Sequence, residues 1–168
     1  MSEETREAAP VEIIDFVPAH QATFRSLNHE WITRYFELEE LDHQILDHPE
    51  SYILAHGGYI LMARFQGEIV GTCALIKVSD AAFELGKMAV TEKVQGLKIG
   101  QQLGRAAINK AREAGAAYLV LYSHRSLGPA LHVYRKLGFK EVPCPANGYK
   151  RADIKMELTL RETRTDDH

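Results

Sequence analysis

The stretch Ala117 to Tyr122 (AYLVLY) constrains the fold more than any other segment of this chain. A nearly all-apolar run of that length predicts a strand covered on both faces, because a strand with one wet face would alternate. The residues before it sharpen the constraint. Ala82 to Val90 reads as a strand, and the amphipathic run from near Lys98 to about Ala114 reads as a helix capped at Gly115. The inner face of that helix is expected at Ile99, Leu103, Ala106, Ala107 and Ala111, with Gln101, Arg105, Asn109 and Arg112 outward. Strand, helix and strand in that order make a crossover, the unit of an α/β sheet with helices on its faces.

The flanking segments complete the sheet. Val11 to Val17 (VEIIDFV) is rich in β-branched residues and stops at Pro18, so it reads as a strand. From His20 to about Asp47 apolar residues recur at helical spacing, which predicts two helices with a break near Phe36 to Glu39. Gly57 and Gly58 mark a turn. Tyr59 to Phe65 and Ile69 to Val78 follow as strands joined in a hairpin at Gln66-Gly67-Glu68. Gly128 to Leu137 reads as a short helix stopped by Gly138, with strands at Phe139 to Val142 and Arg151 to Leu160. The expectation is one domain over residues 10–161, with flexible polar tails at 1–9 and 162–168.

Composition excludes several classes of partner. With 20 basic and 23 acidic side chains the formal charge is −3, without the basic excess that nucleic acid or an anionic membrane favours. Cys73 and Cys144 form neither a CxxC pair nor a disulfide framework, and MSEETREAAP is no signal peptide. No apolar stretch approaches the roughly 18 residues of a membrane span. These features point to the cytoplasm. The histidines, among them His43, His48, His56, His124 and His132, do not repeat at zinc-site spacing, so no metal is expected.

Chemistry concentrates in the loop between the crossover strand and its helix. Gly96 and Gly100 expose backbone N–H groups where the helix dipole adds partial positive charge, which suits a phosphate or pyrophosphate. The loop is not a P-loop, since GK[ST] is absent, and it is not the GxGxxG dinucleotide fingerprint. A strand-to-helix turn that uses glycine only for its geometry is the alternative.

Two motifs carry a family resemblance. Gln95-Gly96-Leu97-Lys98-Ile99-Gly100 resembles the acyl-CoA loop of the GCN5-related N-acetyltransferase (GNAT) superfamily: a Gln or Arg, two residues, a Gly, one residue, then Gly or Ala. It fits at Gln95 and Gly100 but has Lys98 where the pattern has glycine, a substitution expected to hold only at negative φ, as in a first helical turn. Downstream, Ala130 to Phe139 (ALHVYRKLGF) resembles the superfamily's tyrosine-bearing helix. The resemblance covers about Tyr59 to Val142 well and the first 50 residues loosely.

The resemblance implies a single-domain GNAT-like fold: a central mixed, mostly antiparallel β-sheet splayed between the fourth and fifth strands, with helices on both faces. It implies an N-acetyltransferase that moves the acetyl group of acetyl-CoA to a primary amine, on a small metabolite or a protein, in a ternary complex. The backbone of Met88, Ala89 and Val90 would meet the pantetheine arm, and Gln95, Gly96, Leu97, Lys98, Ile99, Gly100 and Gln101 would surround the pyrophosphate. His124 stands where many relatives have an asparagine that contacts pantetheine or the acceptor. Tyr134 matches the usual acid, and Glu84 the base of the histone-modifying branch, with water or His124 as alternative bases. By period two, Glu84, Gly86, Met88 and Val90 are expected to share one face.

On the acceptor side the candidates are Trp31, Tyr35 and Tyr149, with Phe36, Glu39, Lys150 and Arg151 beside them. Trp31 and Tyr35 could equally be plain core, and Lys150-Arg151 is either a basic patch for a carboxylate-bearing acceptor or a solvated pair. The expected partners are acetyl-CoA and an amine, with a homodimer left open. A CoA-binding sensor without turnover is the alternative function.

Overall fold

The computed structural model describes residues 10–94, 97–145 and 149–161. Gln95 and Gly96 of the loop and both expected tails lie outside the described residues. In chain order the elements are β1 (Val11–Asp15), α1 (Gln21–Tyr35), α2 (Glu40–Asp47), the one-turn α3 (Pro49–Tyr52), β2 (Tyr59–Phe65), β3 (Glu68–Lys77) and β4 (Ala82–Val90). There follow α4 (Ile99–Glu113), β5 (Tyr118–Ser123), α5 (Gly128–Lys136), β6 (Lys140–Val142) and β7 (Ile154–Thr159). All seven strands form one sheet in the order β1-β2-β3-β4-β5-β7-β6. Every neighbouring pair is antiparallel except β4 and β5, which the α4 crossover joins in parallel. The expected mixed, mostly antiparallel sheet with helices on both faces is therefore present.

Both faces are covered because β2 and β3 are apolar at successive positions. Leu61 and Ala63 of β2 pack toward α4, with Ile99, Leu103, Ala107 and Ala111. Ile60 and Met62, one residue out of phase, pack on the opposite face against Phe24 and Ile32 of α1, Ile45 and Leu46 of α2, and Ile53 just after α3. Each such fully buried side chain contributes about 1.5–3 kcal/mol. The inner face of α4 is nearly the expected one, with Ile108 buried as well and Ala106 only partly buried. Gly104 faces α5 instead. A Cβ there would lie 2.5 Å from Leu137 Cδ1, so the two helices touch at a glycine.

Local signals set the element ends. α1 stops where Phe36 turns extended, at φ −146° and ψ −173°. α2 begins at a capping box in which the Glu39 N–H donates to Asp42 Oδ2 at 2.8 Å. Gly115 ends α4 at φ 86° and Gly138 follows α5 at φ 105°, both in the left-handed region that glycine adopts without strain.

Lys98 departs from expectation. It caps α4 at φ 57° and ψ 34°, a left-handed conformation rather than the negative φ that a side chain prefers. The turn is pinned by the Gln102 N–H on the Lys98 carbonyl at 3.1 Å, by Gln102 Nε2 on the Leu97 carbonyl at 3.1 Å, and by burial of Ile99. The lysine thus occupies the conformation that the glycine of the resembled pattern would take freely, with its side chain exposed.

That strain predicts a stabilising substitution. A left-handed non-glycine residue costs about 1–2 kcal/mol, offset in part by the roughly 0.4–1 kcal/mol that glycine loses through its freer unfolded chain. Lys98→Gly is expected to raise Tm by about 2–4 °C in a chain of this size, measured by thermal unfolding. An unchanged or lower Tm would contradict the strained turn.

Candidate active site

The site begins where two parallel strands part. β4 and β5 pair only at Ala82↔Tyr118, Phe83↔Leu119 and Glu84↔Val120. Beyond that point β4 stays with β3 as far as Val90 opposite Gly71, while β5 follows β7 to Ser123 opposite Ile154. The sheet is splayed between its fourth and fifth strands, and Gly86 to Val90 face the gap with one backbone edge free of β5.

A β-bulge accompanies the parting. Gly86 pairs with Ala74 and Ala89 with Thr72, so Lys87 and Met88 together stand opposite Cys73. Lys87 sits at φ 50°. The extra residue resets the alternation of the strand. Upstream, Phe83 and Leu85 pack on the α4 side; downstream, Met88 and Val90 do. Glu84 turns to the other face, toward Leu41, Ile45 and Ile76. The period-two expectation that Glu84, Gly86, Met88 and Val90 share a face is therefore wrong, because it assumed an unbroken pleat.

Two clefts meet in the gap. The larger, of about 370 Å³, runs between the end of β4 and α5 and is lined by Met88, Val90, Gly100 and Tyr134, with Trp31 and Tyr35 on its rim. The smaller, of about 90 Å³, is lined by Glu84, Lys87, His124, Tyr149 and Arg151, and by Phe36. Trp31, Met88 and Tyr134 border both. The gap thus opens one groove through the sheet, with Met88 and Tyr134 at its waist.

The α4 N-terminus closes one end of the larger cleft. Lys98 makes no side-chain cap, and the first turn of α4 carries no acidic residue. The N–H groups of Ile99, Gly100 and Gln101 have no acceptor within their own helix and point outward with the positive end of its dipole. Of the loop residues expected around a phosphate, Leu97 and Lys98 are exposed, and Ile99 buries its side chain and offers only backbone. Ala89 is buried and paired with Thr72, and it lines neither cleft. Gln95 and Gly96 are outside the described residues.

Burial tunes the titratable groups. It raises the Glu84 carboxyl above its ordinary 4.5, against the lowering pull of Lys87, and no donor among the described residues hydrogen-bonds that carboxylate. It pushes the Tyr134 phenol up to about 12, with Cys73 adding to the rise. Burial likewise raises Tyr149, with Glu84 and Asp42 reinforcing it. His124 is fully engaged: its Nδ1 accepts the Ser126 N–H at 3.1 Å, and Nε2 lies 3.4 Å from Asp153 Oδ2. Nδ1 also lies 2.8 Å from Ser126 Oγ, so the ring is oriented from both of its nitrogens.

The structure corrects the acceptor-side expectations. Tyr35 is 48% exposed and lines the larger cleft, so it is neither core nor part of the smaller one. Trp31 meets it tilted at 53°, with ring centroids 5.2 Å apart, and borders both clefts. Arg151 is neither a free basic patch nor solvated. Its guanidinium reaches Asp42 Oδ2 at 2.7 Å and Oδ1 at 2.8 Å, and Glu39 Oε2 at 3.3 Å. The Lys150 and Arg151 N–H groups donate to the same Glu39 carboxylate.

Sequence reasoning missed the partner of that arginine. Lys87 Nζ lies 2.7 Å from Asp42 Oδ1, with the lysine side chain 4% and the aspartate 0% exposed. Burial pulls the Lys87 ammonium down while Asp42 holds it up. Burial works against the Asp42 carboxylate too, but hydrogen bonds from Arg151 and the charge and hydrogen bond of Lys87 keep it well below 3.8. One signal was legible: a lysine in AFELGKMAV, in phase with Phe83 and Leu85, is a charge where an apolar residue belongs. Among the described residues no three His, Cys, Asp or Glu side chains gather as a metal site, and no helix is long and apolar enough to cross a membrane.

Comparison with known proteins agrees with this geometry. A model of the Acetyltransferase (GNAT) family matches residues 23–139. The chain is similar to the Xenopus tropicalis "Probable N-acetyltransferase camello", 28% identical over 99 residues that cover 58% of this chain and 45% of that one. The chain thus spans about half the length of such curated relatives. Its fold is similar to a GNAT-family acetyltransferase from Staphylococcus aureus Mu50, with a TM-score of 0.82 at 21% identity over 90% of this chain and 100% of that one. It is also similar to a GNAT-family acetyltransferase from Elizabethkingia anophelis with acetyl-CoA bound, with a TM-score of 0.62 at 22% identity over 89% and 98%.

The Lys87–Asp42 pair generates a stability prediction. Asp42→Asn leaves a buried ammonium without its counter-charge, a loss of about 3–5 kcal/mol, which lowers Tm by roughly 10 °C. Because the folded carboxyl is held below its ordinary 3.8, the stability it contributes is in place above that value and disappears as pH falls through the lower folded value. The gap in Tm between the two proteins should hold from neutral pH to about 4 and narrow in stronger acid. A gap that is absent at pH 7 would refute the pairing.

Proposed function

Because this chain belongs to the Acetyltransferase (GNAT) family, we propose that it moves the acetyl group of acetyl-CoA to a primary amine by direct attack in a ternary complex. The observation that carries this reading is the groove through the splayed sheet: a cleft with main-chain donors at one end, joined at Met88 and Tyr134 to a second cleft that holds a buried carboxylate.

The donor side fits a CoA thioester. The outward N–H groups of Ile99, Gly100 and Gln101 suit a pyrophosphate, with Leu97 and Lys98 beside them. The free edge of Met88 to Val90 suits the amides of the pantetheine arm, which would lie as a short extra strand. His124, oriented by Ser126 and Asp153, lines the smaller cleft as a contact. The bound thioester supplies an activated acetyl group.

The residues of the chain then divide the proton and charge work. Glu84 takes a proton from the ammonium of the acceptor, directly or through water, and frees the lone pair that attacks the carbonyl carbon. The Met88 N–H, at the waist of the groove, stabilises the oxyanion that forms. Tyr134 stays protonated over the working pH range and donates to the sulfur as the C–S bond breaks, so that the thiol leaves neutral. Trp31 and Tyr149 flank the acceptor; Tyr35 belongs to the donor cleft.

Two variants test the assignment by thiol release and titration calorimetry. Tyr134→Phe is expected to lower kcat by about 10²-fold and to leave the Kd for acetyl-CoA within about twofold, since the lost hydroxyl serves only the transition state. Full retention of kcat would remove Tyr134 as the acid. In the wild type, kcat/KM should climb with pH through the raised Glu84 ionisation, because the protonated carboxyl accepts nothing. Glu84→Gln should abolish that limb, so its loss is largest where Glu84 is ionised and the acceptor still protonated, and shrinks below the Glu84 ionisation. A variant whose loss is the same at every pH would transfer the base role to water.

A further inference from the structure

The smaller cleft has a charge pattern that bears on which amine can enter it. Besides His124, its basic lining among the described residues consists of Lys87 and Arg151. Neither is available to an incoming anion. Lys87 is held at 2.7 Å by Asp42, and Arg151 is held in a two-pronged contact by Asp42 and at 3.3 Å by Glu39. Around the cleft two cations therefore meet three carboxylates, Asp42, Glu39 and Glu84, and the one without an ion pair in the structure is Glu84. The local field is negative, and it is negative at the point where the proposed reaction needs an ammonium to arrive.

The rest of the lining is aromatic. Trp31, Phe36, Tyr149 and Tyr122 border the cleft, and Arg151 and Lys87 sit against the Tyr149 ring at 4.7 and 4.5 Å. Phe36 meets His124 edge to face at 5.5 Å, which closes one wall. An ammonium gains from ring faces as well as from a carboxylate. A carboxylate on the same substrate gains from neither: it would be desolvated beside Glu84, with both nearby cations already committed, and an unpaired buried charge is strongly unfavourable.

We propose that the acceptor is a primary amine with an aromatic or other apolar body and no carboxylate beside the amine. This inference rests on the acetyl-transfer reading above and narrows it. It runs against the expectation that Lys150-Arg151 attracts a carboxylate-bearing acceptor, because Glu39 and Asp42 have already neutralised the arginine. Specificity of this kind comes from a withheld partner: the cleft rejects the acid by offering it no free cation. Glu39 and Asp42 thus act as specificity-determining residues without touching the substrate, by keeping Arg151 and Lys87 occupied.

Matched twins test it with the full chain. Thiol release is measured with acetyl-CoA and phenethylamine against phenylalanine, tyramine against tyrosine, and phenylalaninamide as a twin with the bulk of the acid but not its charge. The amines are expected to exceed their acids in kcat/KM by at least tenfold, with phenylalaninamide nearer to the amine than to the acid. Glu39→Gln, which weakens the hold on Arg151, should shift the acid-to-amine ratio toward the acid by fivefold or more. Equal or reversed preference, or an amide rejected as firmly as the acid, overturns the charge argument while acetyl transfer stands. No thiol release with any twin overturns the inference alone if acetyl-CoA still raises Tm. If acetyl-CoA neither binds nor turns over, the reading beneath it falls as well.

Discussion

The ion pair between Lys87 and Asp42 anchors the strand end on which the rest of the site depends. A lysine in the middle of an apolar strand would ordinarily be expelled, because an ammonium without water or a counter-charge is strongly disfavoured. Here the bulge turns Lys87 away from the α4 face and toward α2, where Asp42 waits at 2.7 Å. The aspartate is itself committed three ways: it caps the backbone at the start of α2, holds Lys87 and receives Arg151. One buried carboxylate thus ties together α2, β4 and the segment before β7. A pair of this kind adds little net stability over an apolar substitute. Its value lies in geometry, since only one arrangement satisfies all of its partners.

That geometry separates the two sides of the groove by the kind of atom each presents. The donor side offers main chain: N–H groups of the first turn of α4 and the free edge of β4 beyond Glu84. Main-chain donors are fixed by fold and indifferent to side-chain identity, which is why Lys98 can stand where the resembled motif has glycine, provided that the backbone still turns left-handed. The acceptor side offers side chains, and there each identity matters. Replacing one residue of Glu84, Tyr149 or Arg151 changes charge or shape directly, whereas replacing Leu97 changes neither.

The sequence was legible wherever one local period ran without interruption. β2 and β4 begin and end at the expected residues, and the break between α1 and α2 falls at Phe36 to Glu39. The crossover could be read because β5 is apolar on both faces. Legibility failed where a tertiary demand overrode the local pattern. The bulge at Lys87 added a residue to the pleat and moved Glu84 off the face shared by Met88 and Val90. The left-handed turn at Lys98 obeyed the geometry of the loop and not the preference of its side chain. Arg151 looked basic and free because its partners Glu39 and Asp42 lie more than a hundred positions earlier.

Burial acts on Glu84 and Tyr134 in the same direction and yet, in the proposed reaction, prepares them for opposite tasks. Both ionise by losing a proton to form an anion, so both are raised when the anion is desolvated. For a carboxylate that starts below neutrality, the rise strengthens its hold on a proton and makes it a better base. For a phenol that starts near 10, the same rise keeps the proton in place until a stronger demand appears, and a sulfur gaining negative charge within the groove is such a demand. No separate tuning device is needed for the two groups. A single groove, held open by a strand that leaves its neighbour three pairs after joining it, would in the proposed reaction set an acceptor of protons on one side of the thioester carbonyl and a donor on the other.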